Sequence, residues 1–478
     1  MMSALVGFLA TAFYFVLVLG ILVFIHEFGH FLAAKAFGVR VEVFSLGFGR
    51  RVVGFKRGET DYRLAAIPLG GYVKMSGEFG AEDDKAPDPK FFTSKPRWQR
   101  LIVMLAGPAM NVVLALVLWT GLFMHGTEVP DLPDGPPVVE RTEAGSPAEK
   151  AGLQPGDVIV ELAGKKIDSI DDYETELIFH PGKEVVYGLR RGGKGVEARV
   201  AVAAHPRFGT GWDGVRPRIP IIVGDVVPGA PAEKAGLAKG DRILEVDGRA
   251  PAGIESVSKL INAGGATVAM TVERGGKTLT FDVAPQQKGA SRMIGISVGA
   301  ARRLVRYSFG QAALQSGEYA WKQAGFLFRT IGALLKRDVG LSVMSGPIEI
   351  ARASREQAQA GFVAFVAWIA FISLQLGIFN LVPLPVLDGG HVAILAIEGA
   401  VRRDLPLVVK ERILQIGLVL LLALAAVVIF QDIGKIFGRR EPPPAAAAEA
   451  PAKPAAPSAP AAPAKPTPTP TPSPQPAK

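Results

Sequence analysis

Four long stretches of this chain carry no charge and are almost wholly apolar: Ala4–Ile25, Leu101–Met124, Ala360–Leu387 and Ile413–Phe430. Each is long enough to cross a bilayer as a helix. Between the first two, short runs with strand character, Arg51–Phe55, Tyr62–Ile67 and Tyr72–Met75, are punctuated by glycines such as Gly47, Gly49, Gly54, Gly58, Gly70 and Gly71. Between the second and third, residues from about Val138 to Val298 contain a repeat. Gly145-Ser146-Pro147-Ala148-Glu149-Lys150-Ala151-Gly152-Leu153 returns 84 residues later as Gly229-Ala230-Pro231-Ala232-Glu233-Lys234-Ala235-Gly236-Leu237, and Gly156-Asp157 returns as Gly240-Asp241. Each copy continues into a short strand and turn, Val158–Leu162 and Arg242–Val246. Residues Ala301–Arg337 mix Arg302, Arg303, Arg306, Lys322, Arg329, Lys336 and Arg337 with Phe and Leu, the pattern of an amphipathic helix on a membrane surface. Ser345-Gly346-Pro347 reads as a turn before the third span. Beyond Glu441 the chain is nearly all Pro, Ala, Thr, Ser and Lys and is expected to be extended and disordered.

Composition narrows this picture. The chain has 478 residues, of which 49% are hydrophobic, and a formal net charge of +9. That balance suits a membrane protein carrying soluble parts and touching anionic lipid; no organised nucleic-acid patch is present. There is no cysteine, so a disulfide framework and a thiolate metal site are both excluded. The first stretch lacks a basic leader, so a cleaved signal peptide is not expected there. No Lys or Arg precedes the first span, whereas thirteen lie between Lys35 and Arg100. Positive-inside logic places that loop in the cytoplasm, and both termini and residues Glu128–Gln359 on the other side. Lys435, Arg439 and Arg440 disagree, but the asymmetry across the first span is larger. Phe91, Phe92 and Trp98, with Arg97 and Arg100, form an interfacial anchor before the second span. An acidic stretch, Glu82–Asp88, precedes them.

The chemistry is concentrated at the ends of the first and third spans. His26-Glu27-Phe28-Gly29-His30 puts two histidines four apart, on one helix face, with a carboxylate beside them. This H-E-x-x-H spacing belongs to zinc hydrolases. Ionisable side chains at membrane depth are costly and have no cheap structural role. With no cysteine available, a third ligand must be a histidine or a carboxylate. Far downstream, Asn380-Leu381-Val382-Pro383-Leu384-Pro385-Val386-Leu387-Asp388-Gly389-Gly390-His391 cannot remain regular helix. Unwound backbone at this depth needs protein or water around it. Asp388 falls on the same side of the membrane as His26 and His30 and completes a two-histidine, one-carboxylate site; His391 is the alternative ligand. Gly70-Gly71 would let another backbone approach closely, and a sheet edge there could pair with an extended substrate. Asn111, within Gly107-Pro108-Ala109-Met110-Asn111, has either a helix-packing or a functional role. His125, His180 and His205 are expected at the surface.

Taken together, these motifs resemble the site-2 proteases, zinc intramembrane peptidases, in their RseP-type branch with tandem PDZ domains. The resemblance covers about residues 4–435 in order, and the tail lies outside it. It implies that His26, His30 and Asp388 bind one Zn2+, that Glu27 activates water, and that Asn380, Pro383 and Pro385 help hold substrate. It also implies that the β-rich loop is membrane-reentrant and pairs with an unwinding substrate helix. Family substrates are single-span membrane proteins already shortened by another protease, such as anti-sigma factors or remnant signal peptides. The expected fold is an α+β membrane protein, with four transmembrane helices, a membrane-associated β-rich loop and two PDZ domains between the second and third helices. The expected segments are 1–37, 38–100, 101–125, 135–208, 216–300, 301–359, 360–400, 411–437 and the tail 441–478. A bacterial inner membrane follows as the location. A PDZ scaffold with a degenerate metal site would not need Glu27, and a metal transporter would not need PDZ domains.

Overall fold

The structure is a computed structural model that describes residues 2–78, 88–205, 209–251, 253–288, 291–344 and 346–437. The Pro/Ala-rich tail, most of the acidic stretch at 82–88, Ser345, Arg439 and Arg440 lie outside the described residues. Among those described, four helices are long and apolar enough to cross a membrane: Leu5–Ala36, Arg97–His125, Phe362–Asn380 and Leu407–Gly434. They are called here the first to fourth membrane helices. The second opens earlier than the apolar run because Pro96 caps it at an extended backbone and Arg97 and Arg100 form its first turn. The third ends at Asn380, where the two prolines break it, and a separate helix, Asp388–Val401, follows.

Val18 and Leu22 of the first membrane helix pack on Ile369 of the third. Ala115, Trp119 and Leu122 of the second pack on Ala370, Leu374 and Ile378 of the third. The second helix also stands against the first, with Val103 and Asn111 beside His30 and His26, and its first turns form a shared core with the sheet. That core joins Ala34, Val39, Val41, Phe44, Val73, Met75, Val103 and Met104.

The β-rich loop consists of two strands, Val41–Arg57 and Thr60–Met75, each bent in the middle. Register pairs run Val43↔Lys74 to Leu46↔Gly71 on one side of the first strand and Val43↔Asp61 to Leu46↔Leu64 on its other side. A further set, Val53↔Leu64 to Arg57↔Thr60, closes the hairpin. The first half of Val41–Arg57 is thus the middle of the sheet, and Tyr62–Leu64 is paired on both flanks. Of the two segments with strand character beside Gly70-Gly71, Tyr62–Ile67 and Tyr72–Met75, the first therefore has its Tyr62–Leu64 part inside the sheet and not free to pair with a substrate. Among the described residues no further strand joins the sheet beyond Gly71–Met75, which is its outer edge.

Two β-rich modules lie between the second and third membrane helices. The first has strand order Lys165–Lys166, Val158–Leu162, Glu184–Arg191, Lys194–Ala201, with Val215–Pro217 paired to Val139–Thr142. The second has order Lys277–Val283, Val268–Arg274, Arg242–Val246, Ile221–Val226, Ile296–Ala300. The repeat noted in the sequence is a repeat of bonds. Asp157 accepts from Arg191 and from the Gln154 amide, and Asp241 accepts from Arg274 and from the Ala238 amide. The same arginines reach the Gly152 and Gly236 carbonyls.

Residues after the modules differ from the expected run of surface helices. Arg302–Val305 is a strand, paired to Thr127–Pro130 at the exit of the second membrane helix, so the chain leaves and returns side by side. A helix, Phe309–Leu335, then packs along the second membrane helix through Ser316 Oγ and Thr120 Oγ1, 2.9 Å apart, and Tyr319 against Trp119. The first module docks on this helix. Arg329 donates to Glu176 and lies over the Phe179 ring, and His180 pairs with Glu176. His180 is therefore part of an interface rather than a free surface residue. Burial alone would raise the Glu176 carboxyl, but bonds from Lys165, His180 and Arg329 outweigh it and hold it below its ordinary value.

Gly346-Pro347 does not turn directly into the third span. Pro347 opens a helix, Pro347–Ala360, at the position where its missing N–H costs nothing. Asp432 of the fourth membrane helix caps it, accepting from the Gly346 and Glu349 amides at 3.2 and 3.1 Å. Toward its other end the fourth helix touches the proline loop, where Gly417 faces the Pro385 ring with no room for a side chain.

Candidate metal centre

His26 and His30 sit in the last turns of the first membrane helix and are 9% and 6% exposed. Their Nε2 atoms are 3.3 Å apart. Asp388, the first residue of its helix, brings Oδ2 to 3.1 Å from His26 Nε2 and Oδ1 to 3.5 Å from His30 Nε2. Ligands about 2.0–2.1 Å from a tetrahedral zinc stand roughly 3.3–3.4 Å from one another. The triangle has that size, and its atoms are all nitrogen or carboxylate oxygen, so the residues present fit a tetrahedral zinc ion. Among the described residues these three form the one cluster of this kind, and His391 is not in it.

The second membrane helix holds both imidazoles from behind. His30 Nδ1 is 2.8 Å from the Val103 carbonyl, and His26 Nδ1 is 3.3 Å from the Asn111 side chain. A Cβ at position 107 would overlap the His30 ring, so Gly107 is what admits it. Nothing in the sequence marked Val103, whose contribution is a backbone carbonyl. Gly107 and Asn111 were visible there but not their target.

Glu27 points to the other side, toward the open strand edge. The Val73 backbone amide faces its carboxylate, and a Cβ at Gly71 would lie 3.1 Å from Glu27 Cγ and 2.8 Å from Val23 Cγ1. The space freed at Gly70 is taken by the Phe48 ring. The room left by both glycines is thus filled by this chain itself. What the sheet presents to the centre is its Gly71–Met75 edge.

Asn380 ends the third membrane helix and is half-buried; Pro383 is exposed; Pro385 packs on Gly417. These three lie in or beside the break between the third membrane helix and the helix that Asp388 opens. Beside the centre a cleft is lined by Glu78, Arg100, His391, Glu398 and Lys410 together with apolar residues such as Met104 and Leu395. Burial pushes the Glu78 carboxyl up to about 7.

The description "Peptidase family M50" matches residues 14–424. "Regulator of sigma-E protease RseP" of Escherichia coli (strain K12) is 32% identical over 458 residues, 88% of this chain and 98% of that protein. A Neisseria meningitidis protein named "Putative zinc metalloprotease NMA0084" is 32% identical over 451 residues, 90% of this chain and all of that one. Of solved structures, the PDZ domain of the SdrC-like protein Lin2157 from Listeria innocua is similar over 17% of this chain and 93% of its own, with 26% identity and a TM-score of 0.16. A match that spans both membrane ends of the site and the modules between them leaves one assignment: the chain belongs to peptidase family M50, the site-2 proteases, and is a zinc metalloprotease.

Proposed function

We propose that this chain is an intramembrane endopeptidase, cleaving single-span membrane proteins after a first cut by another protease. Anti-sigma factors and remnant signal peptides are the substrate types that fit. The observation that carries the reading is Glu27, set between a zinc-sized triangle of ligand atoms and an open strand edge, at the end of a membrane helix.

In this reading His26, His30 and Asp388 hold one zinc ion per chain. Zinc supplies Lewis-acid polarisation of the scissile carbonyl and acidifies the attacking water. Glu27 takes the proton of that water and returns it to the leaving amine. A helical substrate hides its amides in its own bonds, so it must be extended before attack. The Gly71–Met75 edge offers the unwound segment a ladder and carries it past Glu27. Asn380 and the prolines guide the opposite side.

Orientation follows from charge, with the β-rich loop in the cytoplasm. Arg402, Arg403, Lys410 and Arg412 add to the basic residues on that side, where Asp404 meets Arg97. The modules and both termini then lie on the periplasmic side of an inner membrane. We read the modules as tandem PDZ domains inserted between the second and third membrane helices. The Ile296–Ala300 strand ends its sheet beside the Ile254–Ala263 helix, the arrangement to which a peptide adds as a strand.

The test is reconstitution with single-span substrates, full-length and pre-trimmed. Chelation is expected to stop cleavage of the trimmed form and added zinc to restore it. Deleting Val138–Val298 with a short linker is expected to admit the uncut form. Cleavage indifferent to chelation removes the metal mechanism; a deletion that folds and binds zinc yet cuts nothing gives the modules a structural role instead.

The strand edge makes a separate prediction. A proline at Val73 removes the outward amide of this edge, the one that faces Glu27, and should lower cleavage strongly while zinc content stays constant. Substrates with helix-breaking residues near the scissile bond should be cut faster. A proline at Tyr62 or Leu64 breaks the interior of the sheet and is expected to cost stability first. Full activity in the Val73 variant would exclude pairing at this edge.

A further inference from the structure

Asn111 is fully buried. The third membrane helix fixes its place: Ser373 Oγ donates to the Asn111 backbone carbonyl at 2.8 Å, and a Cβ at Gly377 would lie 3.3 Å from Asn111 Cβ. Its side chain meets His26 Nδ1 through Nδ2, at 3.3 Å, while Oδ1 is buried with no hydrogen-bond partner. His26 turns Nε2 toward His30 and Asp388, so Nδ1 is the nitrogen left to carry the proton. An N–H facing an NH2 group sets donor against donor. The two ends of an amide have the same shape, and the bonding network decides which faces the ring. Half a turn of this amide puts Oδ1 opposite the Nδ1–H and takes an acceptor away from a place with no donor.

We infer that Asn111 is a positioning residue of the metal centre, its side-chain carbonyl accepting the His26 Nδ1–H, fixing the tautomer and aiming Nε2. The inference rests on reading His26, His30 and Asp388 as the zinc site. It gives the two histidines matching supports on one helix, since His30 Nδ1 meets the Val103 carbonyl. Positions 103, 107 and 111 are spaced by four, as are His26 and His30, so two packed helices meet residue for residue along one ridge. A packing role alone would be met by leucine, which has the same branched outline and a larger volume, or by alanine, which leaves room. A carbonyl role would be met by aspartate.

The test measures zinc affinity of the purified full chain by competition with a chromophoric chelator. Wild type, Asn111→Leu and Asn111→Asp are compared, with the thermal midpoint of each zinc-free protein recorded. Asn111→Leu is expected to bind zinc about 10–100-fold more weakly, as loss of a ligand's supporting bond does, and Asn111→Asp to recover most of that loss. In the Co2+-loaded protein, the visible absorption of Asn111→Leu should shift and that of Asn111→Asp should resemble wild type. Wild-type affinity in Asn111→Leu overturns the inference. Equal weakening in both variants does so too, because it reports shape rather than the carbonyl. If Asn111→Leu fails to fold, Asn111→Ala takes its place in the same comparison. A wild-type chain that binds no zinc would instead overturn the zinc-site reading itself, and the measurement separates the two failures.

Discussion

Glu27→Gln is expected to retain zinc at the wild-type stoichiometry and to lose cleavage by at least ~10²–10⁴-fold, the usual worth of a positioned general base. Glutamine keeps the size of the side chain and one oxygen to face the Val73 amide, so the strand edge should keep its place beside the first membrane helix. What it loses is the ability to take a proton. Glu27 is not among the three clustered ligand residues, so metal content should not follow activity downward. The variant should hold substrate without cutting it, and co-purify with a pre-trimmed single-span substrate. Cleavage at near wild-type rate, with zinc bound, would end the assignment of Glu27 as base.

Replacing Asp388 with Ala is expected to bring zinc to background and cleavage below detection, and His26→Ala and His30→Ala should do the same. The cluster offers three protein ligands, and removing any one leaves two. Zinc should also cease to raise the thermal midpoint. A ligand at 100 times its Kd stabilises a folded protein by about 2.7 kcal/mol, and that gain disappears with binding. Asp388 decides most, because it alone joins the later half of the chain to the first membrane helix at this centre. Stoichiometric zinc in Asp388→Ala would transfer the third position to His391, which lines the adjoining cleft.

The sequence announced the parts of the site whose chemistry has no bland alternative at membrane depth. Two histidines and a glutamate on one helical turn, and a carboxylate in a proline-broken span, are of that kind. The supports were less legible, because a backbone carbonyl such as that of Val103 has no letter and an amide such as Asn111 serves packing equally well. The strand halves are hidden for a different reason. Gly47 and Gly49 read as punctuation and hide Val41–Leu46, the strand that pairs on both sides and puts Tyr62–Leu64 inside the sheet. Gly346-Pro347 reads as a turn because proline is usually a stop; at the first position of a helix it is a start.

The fourth membrane helix has a consequence for how the two sides of the bilayer communicate. At Gly417 it presses on Pro385, in the loop that ends in Asp388, and at Asp432 it grips the first turn of Pro347–Ala360. At about 1.5 Å of rise per residue, those two holds are some 22 Å apart along a continuous helix. A rod seized at both ends transmits displacement without needing to bend. Any piston stroke imposed where Pro347–Ala360 begins would arrive at the loop carrying Asp388, with no intermediary but the rod itself.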